Sequence, residues 1–124
     1  MEIRVPILKI KNYLIVPIQV DLDDNTASRL QHDILIRIEQ TGARGVIIDI
    51  SVLDLVDSYL GRLLGDTAQM AELMDARVVL TGMQPQVALT LVELGLRLDN
   101  IYTALDMESG IELLESLLKS KVRD

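Results

Sequence analysis

The near-continuous apolar run Arg44-Gly45-Val46-Ile47-Ile48-Asp49-Ile50 constrains this fold more than any other stretch. It is short, rich in β-branched residues and too apolar to leave either face in water. Such a segment reads as a strand covered on both sides, central in its sheet and parallel to its neighbours. Ala76 to Thr81 repeats the pattern, and Gly82 closes it. Parallel strands cannot be joined by tight turns, so the intervening residues must supply crossovers, usually helices.

The flanking sequence meets that demand. Asp21-Leu22-Asp23-Asp24 offers side chains that accept hydrogen bonds from free helix N–H groups. A helix is expected from about Asn25 to Thr41, with Ala27, Leu30, Ile34 and Ile38 inward and Gly42 as its stop. A second opens at Ser58 and places Leu60, Leu63, Leu64, Ala68, Ala71 and Met74 on one side. A third runs from Pro85 to Leu94, with Val87, Ala88, Leu91 and Leu94 as its core positions, and ends at Gly95. Ile101 to Leu105 reads as a short fifth strand. Asp106 then caps a last helix with Ile111, Leu114, Leu117 and Leu118 inward, and cations in the tail Lys119 to Asp124 lie near its negative end.

Before all of these, Pro6–Lys11 and Tyr13–Val20 read as two strands joined at Lys11-Asn12, hence an antiparallel hairpin. Pro17 weakens the second as a central strand or marks a bulge. The expected order is β-β-α-β-α-β-α-β-α: an α/β fold with a mostly parallel sheet of about five strands, an N-terminal antiparallel hairpin and four helices. With no linker, repeat or low-complexity stretch, residues 1–124 are expected to form a single domain.

Composition narrows the function. A net charge of −7 opposes nucleic acid and anionic membrane surfaces, and three tyrosines with no Phe or Trp leave few stacking platforms. The absence of cysteine removes disulfides and thiolate metal sites. No signal peptide or membrane-length apolar run is read, so a cytoplasmic protein is expected.

Catalytic signatures are weak. His32 falls opposite Leu30 and Ile34 and reads as a solvated surface histidine with no relay partners. No G-x-S-x-G surrounds Ser58, and no Walker or G-x-G-x-x-G loop follows a strand. Asp49, Asp54 and Asp57 cluster after the third strand, as the phosphorylated Asp of receiver domains does beside Mg²⁺. The acidic pair and the later lysine such domains carry are missing. No enzyme, metal or cofactor is therefore expected.

Ser58 invites two readings: a helix N-cap, or a surface hydroxyl for a kinase, where phosphate would add about −1.5 to −2 charge beside Asp57. Gly61 and Gly65, one turn apart, flatten a helix flank either for packing inside the domain or for docking. Leu89 and Val92 lie off the third helix's inward face, with Leu96 beyond, and lean towards an interface.

The element order, with Asp57-Ser58 at the start of the second helix, resembles the STAS domain family over essentially the whole chain. General antagonists of anti-sigma factors in that family usually read Asp-Ser-x-Gly. Here Tyr59 and Leu60 precede Gly61. That variant, with Arg62-Leu63-Leu64-Gly65-Asp66, Leu22 to Ala27 and Val78 to Gly95, is similar to the family's stressosome scaffolds. The resemblance implies a non-enzymatic cytoplasmic scaffold that co-assembles with STAS-bearing sensor paralogues into a large complex. It would hold a serine/threonine switch kinase until Ser58 is phosphorylated, and a phosphatase would reset it. The partner-binding surface is then expected at Asp57, Tyr59, Gly61, Arg62 and Gly65. Direct anti-sigma-factor antagonism and a receiver-like phospho-aspartate module are the alternatives.

Overall fold

The computed structural model describes residues 4–96, 98 and 101–122. Its elements, in chain order, are β1 (Leu8–Ile10), β2 (Tyr13–Pro17), α1 (Asp24–Thr41), β3 (Gly45–Asp49), α2 (Ser58–Leu73), β4 (Arg77–Thr81), α3 (Pro85–Glu93), β5 (Ile101–Ala104) and α4 (Met107–Val122). The five strands form one sheet in the order β1-β2-β3-β4-β5. β1 pairs antiparallel with β2 through Leu8↔Ile15 and Ile10↔Tyr13, and the remaining pairs are parallel.

Consecutive parallel strands that step in one direction, joined by right-handed crossovers, put their connecting helices on one face. The side-chain alternation agrees. Leu14, Val16, Val46, Ile48, Val78 and Leu80 pack with the buried residues of α1, α2 and α3. Their neighbours Tyr13, Ile15, Ile47 and Val79 point the other way and are covered by α4 through Leu114. α4 approaches closely because two glycines make room. A Cβ at Gly45 would lie 2.7 Å from Leu114 Cδ1, and one at Gly110 would lie 2.9 Å from Thr81 Cγ2.

The element boundaries differ from expectation in instructive ways. β2 is a central strand, yet it ends at Pro17 instead of running to Val20, so the proline falls where the ladder stops. Met74, expected inward, is exposed as the residue that ends α2, and Leu94 is exposed beyond the end of α3. Of the inward set expected in α4, Leu114 is fully buried, while Ile111 and Leu118 pack against it half-buried. The tail beyond Val122 lies outside the described residues.

Carboxylates cap the starts of α1 and α4. Asp23 accepts a hydrogen bond from the Thr26 N–H at 2.7 Å, and Asp106 accepts from the Ser109 N–H at 2.8 Å. Those backbone donors hold both carboxyls below their ordinary value of 3.8. A depressed folded-state value means the caps stabilise fully above that ordinary value and fade as pH falls through the depressed one. Replacing both residues with asparagine should flatten the acid limb of a stability-versus-pH curve below about pH 4. Leu114→Ala should cost about 2–5 kcal/mol in urea unfolding, because it empties the contact that seats α4. Leu73→Ala, at a side chain 86% exposed, should change stability by less than about 0.5 kcal/mol.

Candidate functional site

The loop from β3 to α2 leaves the carboxyl end of a central parallel strand, where α/β sheets place their functional loops. A network of polar side chains fixes its first half. Asp49 Oδ1 accepts from Thr81 Oγ1 at 3.1 Å, and Asp49 Oδ2 accepts from Ser51 Oγ at 3.0 Å. Gln84 Nε2 donates to the Ser51 carbonyl at 2.8 Å, which ties the β4–α3 turn to the same loop. Gly82 permits this closeness: its φ is +76°, and a Cβ there would lie 2.6 Å from Ser51 Cβ. The second half is anchored by Leu53 and Val56, both buried, while Val52 and Leu55 face solvent.

α2 begins directly after this loop, and its capping residue is Asp57, not Ser58. Asp57 has extended backbone angles, and its Oδ1 accepts from the Leu60 N–H at 2.8 Å. This settles the choice the sequence left open about the cap. Ser58 is the first helical residue, half-buried, and among the described residues no hydrogen bond holds its hydroxyl. Serine and aspartate are comparably good caps, so the residue pair alone could not say which one serves.

The helical rotation then divides α2 into two faces. Leu60, Gly61, Leu63, Leu64, Thr67, Ala68 and Ala71 point inward. Ser58, Tyr59, Arg62 and Asp66 lie on the outer side, and Tyr59 and Arg62 are exposed. Gly61 is buried inside the chain. A Cβ there would lie 2.6 Å from Leu96 Cδ1 and 3.0 Å from Leu91 Cδ2, so the space it leaves is filled by α3 and the residues after it. Gly65 is half-buried, with Leu98 Cδ2 3.4 Å from where its Cβ would be. The flat flank read from these glycines is therefore turned onto the chain's own Leu91, Leu96 and Leu98.

Two depressions are lined by residues from the start of α2. One, between the loop and the approach to α1, is lined by Asp21, Leu22, Leu53, Leu55, Asp57 and Leu60. The other, between α1 and α2, is lined by Ser28, Gln31, Tyr59, Arg62, Leu63 and Asp66. Gln31, one of its lining residues, donates through Nε2 to the buried Thr67 Oγ1 at 3.0 Å. The acidic trio is not gathered: Asp49 serves the loop network, while Asp54 and Asp57 face solvent. Among the described residues no group of three His, Cys, Asp or Glu side chains could hold a metal ion. His32 is exposed on α1, and Leu89 and Val92 are 61% and 75% exposed on α3.

Sequence reasoning missed the Asp49–Ser51–Thr81–Gln84 network. A polar residue closing each of two buried strands, Asp49 and Thr81, was the available signal. Among the described residues no helix is long and apolar enough to cross a membrane.

The family model described as the STAS domain matches residues 4–108. A solved structure of Moorella thermoacetica RsbS in its S58E form is 39% identical, covering 94% of this chain and 98% of that one, with a TM-score of 0.83. A chain from a structure described as the molecular architecture of the stressosome, a signal integration and transduction hub, is also 39% identical. The match covers 91% of this chain and 98% of that one, with a TM-score of 0.79. The RsbT co-antagonist protein RsbRA of Bacillus subtilis (strain 168) is 24% identical over 122 residues, 98% of this chain. The chain spans 44% of that relative's length.

Asp57→Ala should lose about 1 kcal/mol of stability in chemical denaturation, the usual cost of a lost helix cap. Ser58→Ala should shift it by less than about 0.5 kcal/mol, since its hydroxyl caps nothing.

Proposed function

Because this chain belongs to the STAS domain family, we propose that it is a non-enzymatic scaffold of a bacterial stressosome. In this reading it sequesters a serine/threonine switch kinase in the cytoplasm and releases it when Ser58 is phosphorylated. The observation that carries the reading is the separation of tasks at the start of α2. Asp57 caps the helix, and the hydroxyl of half-buried Ser58 is left without a hydrogen bond among the described residues. A helix start tolerates added negative charge, by about 0.3–1 kcal/mol per charge. The fold should therefore survive a phosphate while the contact surface does not. Burying so highly charged a group against a partner is costly, which makes release a direct consequence of modification.

The likeness to RsbS, solved with a serine-to-glutamate change, supports the scaffold role and the importance of charge at such a serine. The likeness to a stressosome chain supports assembly into a large complex. The likeness to a longer co-antagonist protein supports co-assembly with STAS-bearing sensor paralogues. A phosphatase acting on phospho-Ser58 completes the cycle. Tyr59 and Arg62 contribute the exposed part of the kinase contact, with Asp57 setting the turn that presents them. A receiver-type phospho-aspartate has less support, because the Asp49 carboxylate is already occupied by Thr81 and Ser51.

In a pull-down with the cognate kinase, Ser58→Ala should bind as the unmodified protein does and fail to let go on addition of ATP. Ser58→Asp should weaken binding only in part, because it adds one charge where phosphate adds nearly two. Phosphorylated protein that retains the kinase as tightly as the unmodified form would overturn the mechanism.

A further inference from the structure

We propose that Arg62 is the built-in counter-ion of phospho-Ser58. Its capture of the phosphate would change the α1–α2 groove as well as the helix start. The inference rests on Ser58 being the phosphorylated residue. Ser58 is the first residue of α2, and Arg62 stands one turn further on, the i, i+4 spacing at which helix side chains meet. Arg62 is the only basic residue of α2, is exposed, and makes no ion pair among the described residues. Its guanidinium is therefore uncommitted, and its planar fork suits a phosphate.

Several acidic residues lie beside Ser58 in the sequence or line the depression next to it. Asp54 and Asp57 belong to the preceding loop, and Asp21 lines the depression next to it with Asp57. A phosphate placed among these carboxylates has one cation within reach on its own helix. Before modification Arg62 lines the groove with Ser28, Gln31, Tyr59, Leu63 and Asp66. Drawn to the phosphate, it removes the one basic side chain from that lining, where Asp66 is the one acidic residue, and the groove becomes net negative. One modification thereby alters two neighbouring surfaces, and a partner contacting either one feels it.

The test uses full-length protein with phosphoserine installed at position 58 by genetic encoding, so that it does not depend on any kinase. A ³¹P NMR titration then follows the second ionisation of the phosphate. Removing the cation in Arg62→Gln should raise the midpoint by roughly half a pH unit relative to the parent, and Arg62→Lys should recover part of that shift. Equal midpoints for all three proteins would overturn the inference. The scaffold reading has a separate readout: kinase release on Ser58 phosphorylation with equal midpoints would sink only the Arg62 role. A midpoint shift without kinase release would sink only the scaffold reading.

Discussion

Burial of both faces of β3 and β4 is the constraint on which the rest of this structure depends. Val46, Ile47, Ile48, Val78, Val79 and Leu80 are all fully buried. Odd and even positions point to opposite sides of the sheet, so one layer of helices could not cover them. Three helices on one face and α4 on the other is the arrangement that dries both. The second face has one helix, so α4 must lie close, and Gly45 and Gly110 supply the clearance. Polar groups are thereby displaced to the strand ends. Asp49 and Thr81 close β3 and β4 with a hydrogen bond to each other, and the loop that leads to Ser58 is tied to that pair.

Much of this was legible in the chain because the strongest signals were hydrophobic and periodic. The two central strands, the hairpin, the four helices and their order could be read from alternation, from helical spacing and from glycines that stop helices. The positive φ at Gly42, Gly82 and Gly95 shows why those three positions punctuate the chain. Errors gathered at element ends. Met74 and Leu94 continue the apolar periodicity of α2 and α3, but each lies just past the last helical residue, where the face it would share no longer exists. Periodicity reports direction only while the helix continues.

The site was legible in outline and not in detail, for a different physical reason. That a hydroxyl sits at the start of α2 followed from local sequence. Which of Asp57 and Ser58 caps depends on a single residue's backbone angles, and neither composition nor spacing encodes those when both are good caps. Gly61 was harder still. Its burial is set by Leu91 and Leu96, which are remote in sequence and brought over it by the β4–α3 crossover. Adjacent positions on one helix, Gly61 and Arg62, consequently have opposite roles: one receives α3 and the other faces solvent.

That opposition bears on how a modification at Ser58 could be transmitted. A Cβ at Gly61 would fall well inside van der Waals contact with Leu96, so the inner side of α2 has little freedom to shift relative to α3. Gln31 and Thr67 add a polar tie to α1 on the same inner side. A helix held this way cannot relieve a new charge by moving, so the cost is met where the charge is, in side-chain rearrangement and hydration at the outer surface. Under the proposed scaffold function, that is the useful outcome: the free energy of one phosphate, on the order of 1–3 charge-assisted contacts made or lost, would act on the partner's affinity instead of the fold.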